Sequence, residues 1–374
     1  MSWLVYRLTH SGLMLGIVGF SSQIPTFLVT PFAGVWVDRW NRHRVLVWTQ
    51  ILSTVQAFLL AFFVLRSMIT IVELIALSAF LGVINAFDIP ARQAFVIDMV
   101  EDRADLPNAI AINSSMVNAA RLIGPSIAGI VIAVLGEGMC FLLNAISFFA
   151  VIVALLAMRV NKEPPLQAPR SVLESLKEGF FYAYSSIPIR TTLMLLALVS
   201  LTGMSYMTLL PIVATDVLHG GPRTLGFLTA ASGTGAILGT IYLASFTAKQ
   251  GVSGLEKLIG IACGACGLGL VAFGFSHLFW VSMFFLFLVG MASMLQMAAS
   301  NMSIQSQVDD DKRGRVMSFF AMAFMGMAPF GSLIGGALSG KIGAPATLAS
   351  TGGVCFFGAL IFMRISKRAA REVV

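Results

Sequence analysis

Three constellations of side chains in this sequence are equipped to do chemistry. The first centres on Arg121, set deep inside a long apolar run, with Asn118 about one helical turn before it and Gly124-Pro125 just after. An arginine at a bilayer centre costs roughly 2.5–3.5 kcal/mol, so it faces a wet cavity or a partner rather than lipid. Pro125 has no N–H to offer the Arg121 carbonyl, which leaves that oxygen for water or a neighbouring helix. Such a group binds an anionic or polar solute or helps to move a proton; the plainer alternative is an arginine neutralised within the fold. The second constellation is Asp38, Arg39 and Arg42 inside the stretch Gly34 to Arg44, G-V-W-V-D-R-W-N-R-H-R. These charges either pair with helix ends as a switch or simply fix the orientation of the chain. The third is Asp88 with Arg92 in D-I-P-A-R-Q-A. Four residues apart, they suit pairing on a continuous helix, although Pro90 between them argues against continuity. A latch that pairs and releases is one reading, and a solvated helix end the other. Asn144, Gln296 and Asn301 are polar residues in or near apolar runs, and either line a path or bond between helices.

Covalent and metal chemistry find no support. His10, His43, His219 and His277 are scattered, with no ligand spacing. All four cysteines, Cys140, Cys263, Cys266 and Cys355, lie in apolar runs, and Cys263-x-x-Cys266 has no second pair to complete a metal site. Gly233-T-Gly235-A-I-L-Gly239 has the wrong spacing for a dinucleotide fingerprint and no strand before it. Together with Gly260-x-x-x-Gly264 it reads as close helix packing. No cofactor is implied.

The elements that must position these groups are membrane spans. Of 374 residues, 57% are hydrophobic and 11% charged, with a mean hydropathy of +0.89; a soluble domain carries about 25% charged residues. A span needs about 20 apolar residues. The apolar runs predict spans at 13–37, 45–65, 68–87, 109–135, 139–158, 191–214, 224–246, 258–275, 278–299, 316–338 and 345–365. The net charge of +7 is distributed by topology rather than gathered for nucleic acid. With the Gly34 to Arg44 turn placed inside, nineteen of the 24 Lys and Arg fall on inner segments, four on outer ones, and Arg121 within a span. That bias sets a cytoplasmic C-terminus. The polar interruption at 161–190 predicts a linker carrying an interfacial helix, with Leu173, Leu176, Phe180 and Tyr184 at helical spacing.

The pattern Gly34, Asp38, Arg39, Arg42 with His43 and Arg44, placed between two spans, resembles the loop signature of the major facilitator superfamily. Asn41 stands where that family usually has glycine, as the next-best residue for a left-handed backbone. Gly124-Pro125 with Gly129 partly resembles the glycine-rich antiporter signature of the family's fifth helix, and D-I-P-A-R-Q resembles the branch containing siderophore and macrolide exporters. The opening W-L-V-Y-R-L-T-H-S is similar to the outer end of the family's first helix.

The resemblance implies an all-α membrane fold of two pseudo-symmetric helical bundles, 1–160 and 191–374, with about eleven of twelve spans and most of the first helix lacking. Arg121-L-I-Gly124-Pro125 and Ala328-Pro329-F-Gly331 fall at matching places in the two halves. The resemblance further implies alternating access, with Asp38, Arg39 and Arg42 holding the inner gate. The function expected is secondary-active efflux of a drug-like or siderophore-like molecule by a monomer in the plasma membrane, with protons as the candidate coupling ion. If proton antiport operates, no carboxylate sits clearly at mid-membrane to serve it. A non-transporting membrane protein, such as a sensor, an assembly factor or an inactive carrier remnant, is the alternative.

Overall fold

The computed structural model describes residues 1–100, 105–158, 180–250, 254–309 and 312–372, without the side chains of Asp38, Arg39, Asn118 and Arg121, among others. Among the described residues the chain is helical and has no strand. A short helix α1 (Ser2–Thr9) precedes α2 (Gly12–Arg39), α3 (Arg42–Leu65), α4 (Ile71–Asp98) and α5 (Leu106–Ala157). The second part holds α6 (Ile187–Val217), α7 (Pro222–Gln250), α8 (Leu255–Gly274), α9 (Phe279–Gln307), α10 (Arg313–Ile342) and α11 (Ala344–Glu372). Most of the predicted interfacial helix at 161–190 lies outside the described residues; 180–185 is helical.

Ten of these helices are long and apolar enough to cross a bilayer. One of the ten is two passes. In α5, Gly136 has φ 84° and ψ 168°, a backbone open essentially to glycine alone. On either side of this break the helix returns to one face, because His43 at the start of α3 donates from Nε2 to the Leu155 carbonyl at 2.7 Å. Among the described residues this makes eleven passes, the number the apolar runs predict. Gly136→Ala should strain this reversal by about 1–3 kcal/mol. The check is the yield of monodisperse protein in detergent, where a parent-like yield would contradict the strain.

Asn41 does not adopt the left-handed backbone expected of it. Its φ of −70° and ψ of 108° are extended, and its side chain accepts the Arg44 N–H at 3.0 Å. The break between α2 and α3 is only two residues long, so the residue is needed as an N-cap, a role in which asparagine excels. Helix α4 also differs from expectation, running through Pro90 to Asp98 rather than ending at Phe87. Proline removes one backbone donor, and the bonds made by Asp88 described below hold the turn that contains it.

The packing repeats itself. Helix α2 packs on α4 as α7 packs on α9, α3 on α4 as α8 on α9, and α3 on α5 as α8 on α11. The same atoms recur: Gly82 of α4 abuts the Ser22 carbonyl of α2, and Gly290 of α9 abuts the Ser232 carbonyl of α7. Two extensive contacts join the halves, α2 with α10 and α5 with α7, and smaller ones run from α1 and α2 to α6. A methyl group on Gly16 would lie 2.8 Å from the Ser332 carbonyl oxygen and 3.2 Å from the Gly336 Cα. One on Gly226 would lie 2.8 Å from the Pro125 carbonyl oxygen and 3.3 Å from the Gly129 Cα. These equivalences give the two segments a residue register: Gly129 matches Gly336, and Pro125 matches Ser332, one turn beyond Pro329. Seam contacts fix the register, and the prolines sit where each helix tolerates them.

The apolar cores differ at the two ends of the bundle. At the basic end each half has its own: Val37, Val45, Leu46, Ala91, Phe95 and Leu155 in the first, and Ile189, Leu196, Ile304, Val316 and Phe320 in the second. At the opposite end a single core runs through both halves. It joins Leu4, Val5, Leu15 and Val18 to Leu209, Leu210, Val213 and Leu348.

Candidate functional site

At the basic end of the first half, α3 turns a polar face toward α4. Thr49, Gln50, Ser53 and Gln56 recur at helical spacing, and all four are buried. Asp88, only 6% exposed, is the focus. Its Oδ1 accepts from Thr49 Oγ1 and from Gln50 Nε2, each at 2.8 Å, and its Oδ2 accepts from Arg92 Nη2 at 2.5 Å. The pairing left open by Pro90 therefore forms. The two charges are unlike in environment, because the Arg92 side chain is 56% exposed. Most of the attraction is spent in water, whereas the Gln50 amide has been taken out of it and depends on its acceptor. Further along the same face, Gln56 Nε2 donates to the Leu77 carbonyl at 3.2 Å.

A second set of contacts closes around this one. Arg42 Nη1 meets Asp98 Oδ1 at 2.9 Å, tying the start of α3 to the end of α4. The rings of Trp36 and Trp40 lie nearly parallel to that of Phe87, with centroids 6.0 and 6.4 Å away. His43 packs on Phe95 while it holds Leu155. Four helices of the first half are thus fastened at one rim. The equivalent place in the second half is oily. Leu258, Ile259, Ala262 and Cys263 of α8 meet Leu295 and Ala299 of α9 in one apolar cluster. In the position of the Asp88–Arg92 pair stands a neutral one, Gln296 Nε2 donating to Ser300 Oγ at 3.3 Å.

The seam brings a different group of residues together. Gln23 of α2 donates from Nε2 to Ser332 Oγ of α10 at 3.4 Å, across the two halves. Phe20 and Phe330 meet edge to face at 5.7 Å beside it. Pro125 belongs to the other seam, of α5 with α7, through its carbonyl, and Gly129 rather than Gly124 is the glycine under contact there; Gly34 and Gly124 have open space where a Cβ would stand. Helix α6 is loosened by wide π turns at Val199–Gly203 and Val213–Val217, a form often found at functional sites. Ser200 in the first of these donates to the Phe324 carbonyl of α10.

The remaining candidates are placed less centrally. Gln296 is 1% exposed, so in this state it lines no open path. Asn301 Oδ1 accepts from Gln305 Nε2 at 2.5 Å on its own helix, and the Asn144 side chain is exposed. The side chains of Asp38, Arg39, Asn118 and Arg121 lie outside the described residues; their backbones lie within α2 and α5. The Gly235, Gly239 and Gly260 backbones pack against Phe287, Met291 and Met363, as expected of packing glycines. Among the described residues no His, Cys, Asp and Glu group is arranged to hold a metal. Sequence reasoning missed Thr49, Gln50, Gln23 and Ser332. The spacing of polar residues on α3 was the available signal for the first two; nothing local marks the others.

Comparison with known proteins agrees with this architecture. A family model described as transmembrane secretion effector matches residues 1–373. The staphyloferrin A transporter of Staphylococcus aureus is 28% identical over 337 residues, covering 89% of this chain and 83% of its own length. The multidrug efflux pump Tap of Mycolicibacterium fortuitum is 24% identical over 357 residues, 92% of this chain and 85% of that protein. Among solved structures, the nucleoside transporter NupG superposes with a TM-score of 0.76 at 14% identity, covering 97% of this chain and 93% of that one. A bacterial homologue of the iron transporter ferroportin, in an inward-facing state, gives 0.74 at 15% identity over 98% and 93%. The fold is that of the major facilitator superfamily, and the protein is a multi-pass membrane transporter. With two facing helical bundles and a family match along nearly its whole length, this chain belongs to the transmembrane secretion effector family of the major facilitator superfamily.

Proposed function

We propose that the protein is a secondary-active exporter of a drug-like or siderophore-like small molecule, working by alternating access in exchange for protons. In this reading bundles 1–160 and 191–374 rock about the two glycine seams, joined by the linker 161–190. The protein acts as a monomer in the plasma membrane with its C-terminus in the cytoplasm. The observation that carries this reading is the unequal division of the core. The halves share one core at the end opposite the basic face and keep separate cores at the basic end. Separate cores let the basic end open without unfolding either half, and the glycine seams let the backbones stay close while they tilt. The substrate class follows from the relatives, one named for staphyloferrin A and another for multidrug efflux.

Efflux from a pump-deficient host tests this. The parent should lower the accumulation of a panel of drugs and siderophores. Arg121→Ala, which removes the cation expected to face the cavity, and Asp38→Asn, which removes the gate carboxylate, should each lower efflux about tenfold or more. Accumulation unchanged by either substitution would take that residue out of the mechanism. A parent that moves nothing in either direction would favour the non-transporting alternative.

A further inference from the structure

The hydroxyl of Tyr6 on α1 donates to the Asp216 carboxylate on α6. This contact joins the two halves, and its place in the repeat is unusual. Tyr6 stands ten residues before Gly16, the seam glycine of the first half, and Asp216 stands ten residues before Gly226, the seam glycine of the second. Gly16 and Gly226 make equivalent contacts, so Tyr6 and Asp216 are themselves equivalent positions. The two helix ends agree with this register to within one residue, since α1 closes at His10 with φ 45° and α6 is followed by His219 with φ 50°. When two copies related by a twofold axis touch through the same position, the contact lies on the axis. In a transporter of two parallel halves that axis runs along the membrane normal, through the substrate path.

We propose that Tyr6 and Asp216 form the pin that closes the path at the face opposite the basic one, and that their hydrogen bond breaks and re-forms in each transport cycle. This rests on the alternating-access reading above. The surroundings suit such a pin. Tyr6 is buried in the shared core with Leu4 and Val5 beneath it, and Asp216 is exposed at the rim. His10 packs edge-on against the Tyr6 ring at 5.5 Å, and Arg7 beside it pairs with Glu137 at 2.8 Å, anchoring α1 to its own half. The tyrosine is thereby held on one bundle while its acceptor belongs to the other. The loosened π turn at Val213–Val217 gives Asp216 room to swing away with α6.

Ser332 reports on the seam, since it is buried between α2 and α10 while the pin is closed. With Ser332→Cys as reporter, labelling by a membrane-impermeant maleimide added at the face opposite the basic one should be slow in the parent background. Tyr6→Phe should raise the initial rate about fivefold or more, and Asp216→Ala likewise. Asp216→Asn keeps an acceptor for the hydroxyl and should stay within about twofold of the parent. Should Tyr6→Phe fail to accumulate in the membrane, Asp216→Ala, altered at an exposed side chain, decides. Parent-like rates in the variants that lack the bond would overturn the pin. The assay needs no substrate, so efflux measured on the same cells tests the exporter reading independently of it.

Discussion

Gly129→Leu is expected to lower efflux about tenfold or more, whereas Gly124→Ala on the same helix should leave it within about twofold of the parent. The contrast follows from what surrounds each backbone. A methyl on Gly129 would lie 2.7 Å from the Pro222 carbonyl oxygen and 3.1 Å from the Gly226 Cα, both rigid main-chain atoms of the other half. At Gly124 the same methyl meets nothing within 4 Å. Overpacking of this kind costs about 1–3 kcal/mol. Here the cost falls mainly on the state in which the seam is closed, so it displaces the conformational balance; each 1.4 kcal/mol is about a factor of ten. Efflux should be read beside gel filtration, to separate a shifted equilibrium from a lost fold. Parent-like transport by Gly129→Leu in well-folded protein would contradict the pivot at α5 and α7.

Asp88→Ala is expected to cost about 1–3 kcal/mol of stability, more than Asp88→Asn and more than Arg92→Ala. Removing the carboxylate leaves the Gln50 amide buried without its acceptor. Thr49 is less affected, because its hydroxyl also reaches the Leu46 carbonyl at 2.9 Å. Asparagine restores one acceptor at the same place. Losing Arg92 leaves the carboxylate its two neutral donors and admits water where the exposed guanidinium stood, and a pair with one partner largely in water contributes about 0–1 kcal/mol. Thermal unfolding in detergent, followed by intrinsic tryptophan fluorescence, gives the order. If Arg92→Ala proved as damaging as Asp88→Ala, the ion pair rather than the neutral donors would be the fastening.

The spans were legible because apolar runs of bilayer length leave little choice of structure, and even the reversal at Gly136 falls between two predicted spans. What lay beyond them was not. Helix α4 continues past Phe87 because hydrogen bonds from α3 support the turn holding Pro90, and a run of apolar residues carries no trace of that support. Asn41 was assigned its conformation from the glycine it replaces, while the structure uses its side chain as a cap. The weak repeat was visible around two prolines, but the register belongs to glycines whose meaning appears only when the opposite backbone is in place. Asp88 and Arg92 were found by spacing along one helix. Gln23 with Ser332, and Tyr6 with Asp216, join residues hundreds of positions apart, and no local pattern announces such partners.

The polar interface of α3 with α4 and its oily counterpart between α8 and α9 make the two bundles mechanically unequal. Donors matched one by one to acceptors hold two rods in a single alignment, since any slip strands a polar group in a dry place. Aliphatic surfaces tolerate small sliding at little expense. The α3–α4 pair should therefore keep its alignment under load more strictly than the α8–α9 pair, so that any sliding between neighbouring helices is expected first in the carboxy-terminal half.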